Sequence, residues 1–160
     1  MAKRIWTVLI LLTVLIGLGA ARADREVRLP ESKYRIMVPD GMEYDGPGEG
    51  EDDAAFALVS TELGLDISFF RFENPNGASL QAIAEGLAES IDNTEIRSFG
   101  GMEMIVFQGT DPADPPETAM KCISYVFLDG DAVQMVSFWY ANQEAADLTA
   151  QIITSITYGE

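Results

Sequence analysis

The sequence predicts an α+β fold: a central antiparallel β-sheet of about six to seven strands flanked by helices, an α/β/α sandwich in the order β-ββ-α-ββ-ββ-α. Three observations lead there. Runs with period-two alternation recur in pairs, separated by short glycine-bearing turns. Two other segments carry apolar residues at helical spacing. The stretch 120–140 is apolar on both of its faces, which suits the middle of a sheet covered on both sides rather than a sheet with one wet face.

Taken in order, K-Y-R-I-M-V-P at 33–39 alternates Tyr34, Ile36 and Val38 against Lys33, Arg35 and Met37. It reads as a strand ended by Pro39. Residues 40–53 hold Gly, Pro and carboxylates in place of periodic apolar residues and read as a loop. Strands at 54–60 and 65–72 flank T-E-L-G at 61–64, a hairpin connection. N-P-N-G at 74–77 is turn chemistry. Ser79 then caps a helix of about three turns whose apolar stripe is Leu80, Ile83, Ala84, Leu87 and Ile91, with Asn93 closing it. Strands at 94–99 and 102–108 flank Gly100 and Gly101, which supply the positive φ of a tight turn. G-T-D-P-A-D-P-P-E-T at 109–118 is a second acidic loop, too rich in proline to pair in a sheet. With Asp129 and Gly130 as a two-residue turn, the next hairpin sets Val126 opposite Val133, Ser124 opposite Met135, Cys122 opposite Ser137 and Met120 opposite Trp139. Its other face carries Phe127, Tyr125, Ile123, Gln134, Val136 and Phe138. Asn142 caps a last helix from 143 to about 155, striped with Leu148, Ile152 and Ile156, that covers one sheet face.

Ahead of this domain, Lys3 and Arg4 precede an apolar run that ends in the small-residue triplet Ala21, Arg22, Ala23. That is the pattern of a secretory signal peptide cleaved before Asp24, and an uncleaved anchor helix is the alternative. The division expected is 1–23 signal peptide, 24–32 lead segment and 33–158 a single domain, working outside the cytoplasm. Beyond residue 23 there remain 7 basic against 26 acidic side chains, a formal charge of −19. Such a field repels phosphate backbones and anionic lipids, so nucleic acid is excluded as a partner and the domain is not membrane-embedded.

Histidine is absent, which removes Ser-His-Asp and Cys-His machinery and the commonest metal ligand. The lone Cys122 forms no intramolecular disulfide and reads as a small buried hydrophobe within a strand. No catalytic residue is assigned. Lys33 and Lys121, the two lysines of the domain, fall in strands and line a wet face or an edge. The G-P-G-E-G run at 46–50 precedes no helix and adjoins carboxylates, so it is no phosphate cradle. The candidate metal ligands are Asp45, Glu49, Glu51, Asp52 and Asp53, with Asp111, Asp114 and Glu117 as a second group, since clustered carboxylates on loops supply the oxygens Ca²⁺ requires. Neither has EF-hand spacing, and no other cofactor is implied. A hydrolase using paired carboxylates is a further alternative with no particular pair to point to. Trp139 lies on the opposite face from its neighbours Phe138 and Tyr140; it either packs in the core or lines a groove beside the last helix.

The opening Y-R-I-M-V-P-D-G-M at 34–42, the central strand, helix and hairpin, and the closing F-L-D-G-D-A-V-Q-M-V-S-F-W-Y-A-N hairpin followed by a helix ending I-I-T-S-I resemble the PsbP superfamily. That superfamily also holds the Ran-binding release factor of yeast and exported bacterial DcrB-like domains. The resemblance spans about 31–158. It implies a non-enzymatic binding or accessory domain, with no particular binding site carried over. The chain lacks histidine and the basic docking surface of the photosynthetic members, which argues against a photosystem role. The resulting expectation is an exported, monomeric binding module whose partner is another exported protein, a Ca²⁺-binding secreted protein being the alternative.

Overall fold

The computed structural model describes residues 24–46, 55–110 and 120–159. The leader at 1–23 and the acidic stretches at 47–54 and 111–119 lie outside them. Ten strands and two helices follow in order: β1 Asp24–Arg28, β2 Tyr34–Pro39, β3 Glu43–Asp45, β4 Ala55–Ser60, β5 Leu65–Glu73, α1 Leu80–Ala88, β6 Glu95–Phe99, β7 Met102–Thr110, β8 Lys121–Asp129, β9 Ala132–Tyr140, α2 Gln143–Thr154 and β10 Thr157–Tyr158. A seven-stranded antiparallel sheet runs β3-β4-β5-β9-β8-β7-β6, and a three-stranded sheet runs β1-β2-β10. The α+β class and the strand number agree with the sequence. The hairpin of β8 and β9, apolar on both sides, does occupy the centre of the large sheet.

Membership of that sheet differs from expectation. The strand at 33–39 pairs with β1 and β10 and belongs to the small sheet. Its place in the large sheet is taken by β3, a three-residue edge strand inside the stretch read as a loop. The lead segment 24–32 contributes β1, whose D-R-E-V-R has no apolar period and is ordered by pairing rather than by burial.

The last hairpin also pairs differently. Asp129 opposes Ala132 and Cys122 opposes Trp139, so the turn residues are Gly130 and Asp131 rather than Asp129 and Gly130. Gly130 has φ 63° at the first turn position, the geometry of a type II′ turn, which reserves that position for glycine. Each expected partner moves by two residues. A shift of two preserves the pleat, so the residues assigned to each face are unchanged.

One face of the large sheet is closed. Phe69, Met104, Phe127, Val136 and Phe138 are fully buried there against Ile36 and Val38 of the small sheet and Ala145, Ile152 and Ile153 of α2. Aromatic rings interlock through this layer: Phe56 stacks on Phe69 at 4.5 Å, and Tyr125 meets Phe138 edge-on at 5.7 Å. The hydroxyls of Tyr34 and Tyr125 titrate above their ordinary value because burial disfavours the phenolate. Two polar ties hold the small sheet down. Gln134, fully buried, donates through Nε2 to the Pro30 carbonyl at 2.9 Å, and Arg71 reaches Glu31 at 3.2 Å. Asn142 caps α2 as expected, its side chain accepting from the Ala145 amide at 2.9 Å.

The opposite face carries the second core cluster, in which Ala84 of α1 packs with Ile105, Val126 and Val133, flanked by Ile83, Leu87, Ile96 and Met135. Ser79 caps α1, accepting from the Ala82 amide at 3.2 Å. The helix stops at Ala88, shorter than the stripe to Ile91 suggests, and Asn93 closes the connection at φ 59°. Among the described residues, no helix is long and apolar enough to cross a membrane.

Candidate functional site

Strand register arranges the α1-side face in rows. Ala55, Phe70, Met135, Val126, Ile105 and Ile96 stand side by side from β4 to β6, an unbroken apolar row across six strands. Beside it Ser68, Ser137 and Ser124 form a row of small hydroxyls, with Ser124 and Ser137 hydrogen-bonded at 2.8 Å. The third row is Val59, Asp66, Trp139 and Cys122. Because α1 packs over β6 and β7, it covers the row at one end only. Between the helix and the rest of the sheet runs an open groove of about 350 Å³, walled by Ile83, Leu87, Phe107, Val133, Met135 and Phe72, with Glu73 and Asn74 at its rim. Phe72 is 49% exposed, among the few large apolar side chains left in water, and it stacks with Phe70 at 6.2 Å.

This groove was detectable in β5. L-D-I-S-F-F-R-F-E sends Leu65, Ile67 and Phe69 into the closed core, so alternation assigns Asp66, Ser68, position 70 and position 72 to the other face. Two polar residues are followed there by two phenylalanines, an exception to a solvated face that marks a surface held for contact. Ile83 and Leu87 gave no such signal, because a helix stripe looks the same whether its outer residues are fully covered or line a groove.

Trp139 lies on this face, opposite the side that α2 covers, and is half-buried in neither core cluster. The reading of a groove beside the last helix therefore fails. The pleat places the indole on one side of β9, whereas α2 folds back onto the other. Of the two lysines, Lys121 is exposed at the start of β8, and Lys33 sits just before β2 in the turn after β1.

Asp45 is exposed at the end of β3. Glu49, Glu51, Asp52 and Asp53, like Asp111, Asp114 and Glu117, lie outside the described residues. Among the described residues no group of three Asp, Glu or Cys side chains is placed to hold a metal ion. Asp66 is half-buried, and its carboxyl titrates above the ordinary carboxylate range: burial is the main cause, the negative Asp45 adds to it, and a backbone hydrogen bond from Ser60 opposes both. Cys122 is buried, with its sulfur 3.7 Å from the Ser124 hydroxyl. Burial pushes that thiol up, away from the thiolate a nucleophile needs.

No protein-family model matches the sequence, and no curated protein matches it. Solved structures do resemble it. A Bacteroides thetaiotaomicron protein superposes with a TM-score of 0.65 at 13% identity over 85% of this chain and 48% of its own, so the chain spans about half that protein's length. The cyanobacterial PsbP (CyanoP) of Synechocystis gives 0.63 at 11% identity, covering 89% of this chain and 95% of CyanoP. The Ran-binding protein Mog1p of Saccharomyces cerevisiae gives 0.50 at 14% identity over 86% and 96%. A central antiparallel sheet, closed on one face by a small sheet and the last helix and partly covered on the other by the middle helix, is thus the PsbP/Mog1 fold, and this protein has it.

Proposed function

We propose that the protein is an exported, non-enzymatic binding or accessory domain that engages another exported protein. The observation that carries this reading is the half-covered apolar face, where Phe70, Phe72 and Met135 continue the core beyond α1 into water. Contiguous exposed apolar surface beside a groove is what a protein contact leaves on an otherwise polar monomer. The basic n-region, apolar run and Ala-Arg-Ala triplet support export, and the fold neighbours include a protein described as Ran-binding. Absence of histidine and the raised titration of Cys122 support a non-enzymatic role. Chemical cross-linking and affinity capture of the protein in its producing cells tests the reading. Enrichment of a defined exported protein is expected; recovery of background alone across several growth conditions contradicts it.

A second reading, Ca²⁺ binding by the acidic stretch that starts at Asp45, has one observation in its favour. Glu43 and Asp45 on β3 and Asp66 on β5, with β4 between them, project from the same sheet face, and Asp45 already disfavours charge on Asp66. A cation would relieve that repulsion. A Ca²⁺-selective rise in melting temperature, with Mg²⁺ and ionic strength matched, supports it, and no selective shift contradicts it.

A further inference from the structure

All seven Lys and Arg residues beyond residue 23 lie on one side of the large sheet. Arg25, Arg28, Lys33 and Arg35 belong to the small sheet and its turn. Arg71, Arg97 and Lys121 occupy strand positions opposite Gln134, Met104 and Tyr140, all of which point toward that sheet. Among the described residues the α1 side holds no basic side chain. It carries Glu43, Asp45, Asp66 and Glu103 on the sheet face and Glu85 on α1, while Glu73, whose strand position is that of the opposite face, ends β5 at the groove rim. On the small-sheet side carboxylates such as Glu26, Glu31 and Glu95 pair with the cations, whereas the side that bears the exposed apolar groove has carboxylates alone.

From this segregation, and resting on the binding-domain reading above, we infer that the groove between α1 and the open sheet face docks a cationic amphipathic segment of a partner polypeptide. Apolar side chains of the segment fill the groove against Phe72, Leu87, Phe107 and Met135. Its Lys and Arg residues meet the surrounding carboxylates, which steer the encounter and fix its orientation. Charge selects this occupant over others. A second copy docking by the same face would set carboxylates against carboxylates, and an anionic lipid surface would be repelled. A small apolar ligand would stay largely in water in so open a groove, whereas ligand pockets enclose most of what they bind.

The test is calorimetric titration of the full chain with two synthetic amphipathic helices of about 18 residues, five helical turns. Both present Leu and Phe on one face; one carries Lys and the other Glu on the opposite face. The Lys peptide is expected to bind saturably, to weaken as salt rises and to exceed the Glu peptide by about tenfold or more. Phe72→Ser is expected to weaken the Lys peptide by about tenfold, and Met37→Ser, an exposed apolar side chain of the small sheet, to leave it unchanged. Asp66→Asn combined with Glu73→Gln is expected to flatten the salt dependence. Equal binding of the two peptides, insensitivity to Phe72→Ser, or self-association through this face in sedimentation overturns the assignment. A captured exported partner whose cross-links fall on the small sheet also overturns it while leaving the binding-domain reading intact; failure of capture altogether overturns that reading instead.

Discussion

The two faces of the seven-stranded sheet are built from the same strands yet are closed to very different degrees. Toward the small sheet and α2, every position along the middle of β5, β8 and β9 is closed: Ile67, Phe69, Phe127, Gln134, Val136 and Phe138 have no exposed surface. Toward α1, the register-matched neighbours Phe70, Met135 and Trp139 are only half-buried, and Phe72 is half in water. One face holds the fold together. The other stays formed yet keeps apolar side chains partly open, which is the surface proposed for partner contact. Because both faces are made by alternate residues of one strand, a single-residue step along β5 or β9 moves from a fully buried side chain to a partly open one.

Substitutions on adjacent residues of β9 separate the faces most sharply. Phe138→Ala removes a fully buried ring and is expected to lower unfolding free energy by about 3–5 kcal/mol in a denaturant titration. Trp139→Ala, one residue on, is expected to lower it by less, about 1–2 kcal/mol, because the indole keeps part of its surface in water and belongs to neither core cluster. Equal losses would mean that the α1 face is a core like the other. Phe72→Ser is expected to change stability by no more than about 0.5 kcal/mol, the range of surface substitutions, while affecting binding.

Asp66, on the open face, makes stability depend on pH. Its folded carboxyl titrates above the unfolded value of 3.8, so the folded state holds the proton more tightly. The contribution of Asp66 to stability is therefore fully present below pH 3.8 and is lost as pH rises through its folded value. Asp66→Asn is expected to stabilise the protein at neutral pH relative to wild type, with the difference shrinking as pH falls toward 3.8, measured by melting temperature across the range. A difference independent of pH would place its origin in packing rather than in burial of the charge. The smallest effect is on Cys122, whose raised thiol and burial predict slow modification by a thiol reagent in the native state and full reaction only on unfolding.

Much of this architecture was legible in the sequence because alternation and helical period are direct records of which side chains are buried. The two faces of the β8–β9 hairpin, both helix caps and the Gly100–Gly101 turn at φ 59° and 87° follow from local chemistry. The small sheet was not legible in the same way. β1 is almost wholly exposed and β10 is two residues long, so their strand character comes from pairing with β2 and leaves no apolar period. The hairpin register escaped because D-G-D offers two successive turn choices, and only the backbone at Gly130 decides between them. Fully buried Gln134 reads as a polar strand residue; the Pro30 carbonyl that accepts from its Nε2 is 104 positions away in sequence. For the site, the sequence pointed to the acidic stretches, because carboxylates stand out in a string of letters. The groove depends on how far α1 reaches across the sheet, a tertiary quantity, and Phe70 and Phe72 were its only local trace.

The most direct test of the central claim, that the open face is the contact surface, is site-specific photocross-linking in the producing cells, with a photoreactive phenylalanine at position 72 in one variant and at position 37 in another. Both positions are exposed and apolar, at 49% and 37%, and they lie on opposite layers of the molecule. A discrete adduct with an exported protein is expected from position 72 and none from position 37. An adduct from position 37 alone, or none from either, contradicts the claim.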